Sequence, residues 1–461
     1  MDMTGTSHHP NPASNSLDPD PLGPDHRTLA PEPTMAVVTA KDSVLVTPSE
    51  PTPSEVLALS TIDSQRFLRF TIEYILVYRD GDQELLHRMR AALGRALVPY
   101  YPLAGRLRER NRNHGGGGGL EVVCNAQGAL FIEATSTFSL HEMLKTPKHC
   151  KQWRGFLPEI KENEFIRAPP LIVQATRLVH SRGLVVCVGF SHCLCDGIGS
   201  CQFLKYWADL TSGRPELQPQ VWARHLLKHH WLPPSPRTMS PEFERVVDMC
   251  GLNARLDNKD RLVPSMVTFD RMHLDELKRS AGRGITAFEA LAAHVWQSWV
   301  RALELPERQT VKLLFSVNVR EKMVPPLPKG YWGNAFVLAC AQSGAKDVRE
   351  KGTAWAARAI RRAKERVGDE YVRSVVGVLG EEEGLRPDMG GVMVVSQWSR
   401  MGLEEVDFGK GLAVVVGAVC ADVYCYFLPV VGRPGAVCVA VALPGDAVAK
   451  YDYYLRSPSL C

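Results

Sequence analysis

The stretch that most constrains this chain is Leu184–Leu194, an almost unbroken apolar run that gives way at once to Asp196-Gly197-Ile198-Gly199. A second apolar run, Leu171–Val179, precedes it, with only His180-Ser181-Arg182-Gly183 between them. Two such runs joined by a short polar turn read as a β-hairpin. Beyond the glycine turn, Phe203, Leu204, Trp207 and Leu210 fall on one face of a helix that Ser200 can cap and that stops near Gly213. A buried strand, a tight turn and a capped helix demand an α/β arrangement with a covered sheet.

The same texture recurs along the chain. Asp82–Val98 carries Leu85, Leu86, Met89, Leu93 and Leu97 at helical spacing. Leu57–Val77 reads as a helix or turn followed by a strand, and the glycine run 115–119 as a loop tip between strands. That run lacks the Lys-Ser/Thr and helix that a phosphate loop needs. In the second half Thr286 opens the helix TAFEALAAHVWQSWVRAL, Val311–Val319 is a strand and Ala354–Glu383 is mostly helical. Gly391–Trp398, Leu412–Ala421 and Val437–Leu443 complete the strands. Between the halves, 214–241 is broken by Pro215, Pro219, Pro233, Pro234 and Pro236 and holds His225, His229 and His230. It reads as a solvated crossover; no further ligands flank the histidines to make a metal site. Residues 1–35 have almost no apolar periodicity and are expected to be disordered, with Met35 a candidate alternative start.

Composition excludes several classes. The 461 residues carry 54 basic and 50 acidic side chains, a net charge of +4, too small for a general nucleic-acid binder. Hydrophobic content of 45% excludes disorder of the whole chain. The 12 cysteines form no repeated CxxC pair, and several lie within apolar runs, as reduced thiols of a cytoplasmic protein would. Residues 1–34 hold one basic residue, Arg27, among several acids, which fits neither a secretory signal nor a transit peptide. Gly411–Gly432 is long and nearly uncharged, but Asp422 and Pro429 interrupt it. Two buried strands account for it better than a transmembrane helix.

The candidate chemistry lies in Ser191-His192-Cys193-Leu194-Cys195-Asp196-Gly197. With 14 histidines, about one HxxxD match is expected by chance, and requiring the glycine lowers that to roughly a tenth. A strand end holds an imidazole rigidly, and the glycine turn lets a ligand or backbone approach. Histidine can accept and return a proton near neutral pH. Asp196, four residues on and past a turn, need not face His192; a buried salt bridge shaping the turn is preferred over a dyad.

With LVPYYPLAGRLR (97–108), TAFEALAAHVW (286–296), SVNVREKMVPPLPKGYWGNAF (316–336) and VDFGKG (406–411), the chain resembles the plant BAHD family of acyl-CoA-dependent, HxxxD-type acyltransferases over nearly all of 36–455. The resemblance implies two chloramphenicol-acetyltransferase-like α/β domains with mixed sheets, 36–213 and 242–461, joined by the 214–241 crossover and enclosing an active-site channel. It implies His192 as general base, acyl-CoA as co-substrate and an acceptor hydroxyl, or an amine, entering from the opposite face. Asp196 and Gly197 would be structural, Asp196 pairing with Arg320 of the Asn-Val-Arg run. Asp407, Phe408, Gly409 and Gly411 would form a structural loop away from the site, with Lys410 where the family usually has tryptophan. Ser396 and Trp398 match positions lining the oxyanion region, with strand-end packing as the other reading, and Thr286 matches a channel position. No metal and no permanently bound cofactor are expected, since a thioester is already activated. A cytoplasmic monomer acting on a fatty or aromatic alcohol is expected. The alternatives are a catalytically idle relative acting as a partner protein, motivated by Lys410 and the Ser-Gln-Trp at 396–398, an N-acyltransferase, or a peptide-synthetase condensation domain. The doubled histidine of the last is absent, since Ser191 precedes His192.

Overall fold

The computed structural model describes residues 37–110, 119–145, 151–161, 163–214, 220–232, 240–382, 384–422 and 424–457. The expected disordered extension, the glycines 115–118, the prolines of the crossover, Cys150 and Cys461 lie outside the described residues. The strands, in chain order, are β1 (Val38–Val46), β2 (Glu55–Ala58), β3 (Thr71–Tyr78), β4 (Arg106–Glu109), β5 (Leu120–Cys124), β6 (Ala129–Ser136), β7 (Leu171–Leu178) and β8 (Leu184–Ser191). They continue as β9 (Leu262–Phe269), β10 (Thr310–Asn318), β11 (Phe336–Gly344), β12 (Val392–Gln397), β13 (Val415–Ala418), β14 (Tyr424–Pro429) and β15 (Val437–Pro444).

Two six-stranded sheets organise them, β1-β6-β7-β8-β3-β13 and β11-β10-β12-β14-β15-β9, with a small β2-β5-β4 sheet beside them. Both large sheets are mixed. β6 runs parallel to β7 in the first; β12 runs parallel to β10 and to β14 in the second. The mixed α/β class expected from the sequence is the one observed.

β7 and β8 form the expected antiparallel hairpin. All eight residues of β8 are buried, as a near-continuous apolar strand covered on both faces must be. The helices Gln83–Ala96 and Gly197–Ser212 are fastened together, the Trp207 indole N–H donating to the Met89 carbonyl at 2.9 Å. The second sheet carries the helix Ala287–Ala302, buried at nearly every position from Glu289 to Ala302.

Several elements differ from the sequence reading. The helix after the glycine turn begins at Gly197 and is capped by Asp196, whose carboxylate accepts from the Gly199 N–H at 3.0 Å. Ser200 sits inside the first turn instead. A buried carboxylate with an oxygen facing the amides is the stronger cap. The helical stretch expected over Ala354–Glu383 is two helices, Gly352–Arg366 and Asp369–Glu381, broken at Val367-Gly368. β1, β9 and β11 were not singled out by periodicity.

The chain also crosses between its cores. β13 pairs with β3, Val415 opposite Val77 and Ala418 opposite Tyr74, so a late segment closes the first sheet. Trp332, Trp398 and Phe408 pack in the core of that sheet, while Ile62 and Leu227 pack in the core of the second. Gly411–Gly432 therefore contains β13 and β14, in different sheets. Among the described residues no helix is long and apolar enough to cross a membrane.

Candidate active site

β8 ends at Ser191, and the backbone turns at once, the Leu194 N–H reaching the Ser191 carbonyl at 3.0 Å. The His192 N–H donates to the Phe70 carbonyl at 2.9 Å, which fixes the residue at the strand end. Its ring lies between Phe70, edge-on at 5.0 Å, and Phe336 at 5.7 Å. Nδ1 is 3.0 Å from Asn334 Oδ1. The Asn334 Nδ2 is committed elsewhere: it donates to Asp63 Oδ1 at 2.8 Å and to the His192 carbonyl at 2.6 Å. Both are pure acceptors, so Oδ1 must face the ring, and Nδ1 must carry the proton. The lone pair is left on Nε2. Burial is the main effect on the imidazole pKa and holds it below its ordinary value, against the ring's interaction with its own backbone carbonyl, the Asp196 charge, the Asn334 bond and the Asp63 charge.

Asp196 lines the same cavity as His192 but commits its carboxylate to a two-point ion pair with Arg320, Oδ2 to Nη1 at 2.8 Å and Oδ1 to Nη2 at 3.1 Å. Burial works to raise its pKa, but Arg320 and the amides of Gly199 and Ala335 outweigh it and hold the carboxyl below the usual range. Arg320 also donates to the Gly333 carbonyl at 3.0 Å. A Cβ at Gly197 would come within 2.8 Å of Met401 Sδ, so a side chain there would have to displace the methionine. Cys193 and Cys195 are buried, and burial pushes both thiols far up. They are neutral at working pH and unsuited to nucleophilic attack.

His192 lines a cavity of about 530 Å³ together with Phe70, Phe336, Ser396, Trp398 and Tyr424. Ser396 and Trp398 are thus brought to the histidine, but not as two independent donors. The Trp398 indole N–H is spent on Ser396 Oγ at 3.0 Å. Ser396 accepts that bond and keeps its own O–H to give. Gln397 and Arg400 are shared with a second cavity of about 440 Å³ that includes Arg433. Phe67, Phe336 and Leu338 also line a very small cavity, which shares Gln65 with a third, polar cavity of about 660 Å³ bearing Arg66, Arg110 and Lys228.

Thr286 caps the helix Ala287–Ala302. It is not among the residues lining the His192 cavity. Its hydroxyl accepts from the Glu289 N–H at 3.3 Å, and Glu289 returns a bond from the Thr286 N–H at 2.9 Å. This is a capping box, the two partners satisfying helix N-terminal amides reciprocally. The Asp407 loop is apart from the cavities as well. Asp407 Oδ1 gathers the N–H groups of Gly409, Lys410 and Gly411 at 2.7, 3.1 and 3.0 Å. Gly409 and Gly411 have φ near +95° and +92°, which side-chain-bearing residues rarely adopt. Phe408 packs edge-on against Trp207 at 4.7 Å. Lys410 reaches Asp82 Oδ2 at 2.9 Å, an ion pair that ties the loop to the start of the helix Gln83–Ala96.

A family model described as "Transferase family" matches residues 36–453. This chain belongs to the BAHD acyltransferase family. It is 31% identical over 392 residues to the omega-hydroxypalmitate O-feruloyl transferase of Arabidopsis thaliana, covering 82% of this chain and 83% of the relative. It is 30% identical to the fatty alcohol:caffeoyl-CoA acyltransferase of the same plant, covering 90% and 97%. Among solved structures, vinorine synthase superposes with a TM-score of 0.70 at 21% identity, over 91% of this chain and 98% of the other, and shares the fold. Spacing and resemblance missed Asp63 and Asn334. Asn334 is the one carboxamide in Tyr331-Trp332-Gly333-Asn334-Ala335-Phe336, a faint signal, and Asp63 carries none.

Proposed function

We propose that the chain transfers an acyl group from acyl-CoA to the hydroxyl of a fatty or aromatic alcohol, with His192 as general base. The observation that carries this reading is the Nδ1 bond to Asn334, which leaves the lone pair on Nε2 of a histidine that lines the cavity of about 530 Å³. Nε2 takes the proton of the acceptor hydroxyl as its oxygen attacks the thioester carbonyl carbon. The carbonyl oxygen becomes an oxyanion and receives the Ser396 O–H, itself polarised by Trp398. When the tetrahedral centre collapses, the C–S bond breaks, and Nε2–H returns its proton to the CoA sulfur. The products are an ester and free CoA, with no acyl-enzyme.

The names of the two plant relatives support an alcohol over an amine as acceptor, and the second supports a CoA thioester as donor. We place the chain's halves at 36–213 and 242–461 around the 214–241 crossover. One chain supplies both walls of the site, so a monomer suffices, and the buried free thiols suit a cytoplasmic setting. The test is thiol release from caffeoyl- and benzoyl-CoA with long-chain and benzyl alcohols, using the wild type and His192→Ala. The variant should fold and lose about two to four orders of magnitude in turnover. Retained turnover would remove His192 from the mechanism.

A further inference from the structure

Two buried ion pairs grip the segment Tyr331–Ala335 from opposite sides. One is Asp196–Arg320. The other, Asp63–Arg224, comes from the loop before β3 and from the crossover, and its side chains are 0% and 1% exposed. Arg224 Nη1 donates to Asp63 Oδ2 at 2.6 Å, and Nη2 donates to the Leu194 carbonyl at 2.7 Å. The Ser60 N–H donates to the same Asp63 oxygen at 3.0 Å. The guanidinium lies against Gly333, where a Cβ would come within 3.0 Å of Cζ. The free Asp63 oxygen then faces Asn334 and accepts both its backbone N–H, at 2.9 Å, and its Nδ2, at 2.8 Å.

We propose that Asp63 and Arg224 are positioning residues for the general base: by holding the Asn334 amide one way round, they dictate which nitrogen of His192 carries the proton. The inference rests on the reading of His192 as that base. If the amide turned over, Asn334 Oδ1 would oppose the Asp63 carboxylate, and Nδ2 would face His192 Nδ1. That nitrogen would then have to accept, the proton would move to Nε2, and the ring could not take a proton from the acceptor. Arg224 keeps the carboxylate from swinging away, because its second nitrogen is anchored on Leu194, two residues beyond the histidine. An asparagine between Asp63 and His192 has no proton to pass on, so the arrangement orients the ring and does not relay charge.

Asp63→Asn alone strands a buried guanidinium and can fail to fold. The informative variants are Asp63→Asn/Arg224→Met, which removes both charges, and Asn334→Ala, which leaves the ion pair intact. Protein labelled with ¹⁵N in the histidine rings reports the tautomer directly, the His192 signals being those missing from His192→Gln. The wild type should hold its proton on Nδ1. Both variants should shift it toward Nε2, with kcat falling about 10- to 10³-fold and KM for acyl-CoA within about twofold; the equivalent tautomer error in a serine-protease triad costs about 10⁴. A folded variant of either kind with the wild-type tautomer overturns the lock. A shifted tautomer with undiminished kcat upholds the lock and overturns the general-base reading instead.

Discussion

At His192 two separate effects favour a base that is ready at neutral pH. Burial lowers the imidazole pKa, and the bond to Asn334 fixes where the remaining proton sits. The activity requires the neutral ring, so rate should rise with pH through the lowered pKa and then level off. We expect the acid limb of kcat/KM to fall below the ordinary value of about 6.5, measured between pH 4.5 and 8 with buffers of constant ionic strength. A limb above 7 would contradict a desolvated base. Ser396 and Trp398 should separate in the same way. Ser396→Ala removes the donor to the oxyanion and should cost about 10²–10³ in kcat. Trp398→Phe only weakens that donor and should cost less; a larger loss there would return the indole to direct contact with the substrate. The sequence exposes His192, Asp196 and Ser396 because each sits at the end of an apolar run. It hides Asp63 and Asn334 because their positions are 271 residues apart and meet only through the fold.

Several elements are tied to one another by polar anchors at their ends. The Asp196–Arg320 pair joins the start of the helix Gly197–Ser212 to the loop after β10, with side chains 8% and 15% exposed. Removing one partner strands the other, at a cost of about 3–5 kcal/mol. Asp196→Asn and Arg320→Met should each lower Tm and soluble yield sharply, and the double variant should recover part of the loss. Simple additivity in that cycle, or a stable Asp196→Asn protein that is merely slow, would give Asp196 a catalytic part. Thr286→Ala should behave differently: loss of a cap costs about 1 kcal/mol, visible as a small drop in Tm with kcat unchanged. A kcat defect without a Tm change would give Thr286 a part in the channel. The Asp407 loop shows how a departure from the family pattern is absorbed. Lys410 bonds to Asp82, which also caps the helix Gln83–Ala96 by accepting from the Leu85 N–H at 2.8 Å. The lysine thus keeps the loop fastened to the same helix end, and nothing about it reaches the cavities.

On the scale of the whole molecule the charge is nearly balanced, so any attraction for the phosphates of CoA must be local. Arginines line the two cavities that neighbour the His192 cavity, Arg400 and Arg433 in one and Arg66 and Arg110 in the other. Binding of CoA, followed by calorimetry, should weaken as ionic strength rises from about 0.01 to 0.15 M; indifference to salt would mean that these side chains do not meet the phosphates. The sheet class and most strands were legible, because strands buried on both faces print as apolar runs. The partition of the strands was not. Leu412–Ala421 reads as one more strand of the second half, and nothing in its composition shows that Val415–Ala418 lies beside β3. Pairing across more than 300 positions leaves no periodic trace.

That late strand sets a timetable for biosynthesis. A ribosome that has released residues 1–213 has made five of the six strands of the first sheet, yet β3, six of whose eight residues are buried in the finished protein, still lacks its outer neighbour. Such an apolar border invites pairing with other nascent chains. It stays uncovered until translation passes Ala418, by which point Arg320 and Asn334 have also been supplied. The border is thus shielded only after the histidine's surroundings have been supplied. Fragments cut short of β13 should accumulate as aggregates and not as hydrolases of cellular thioesters.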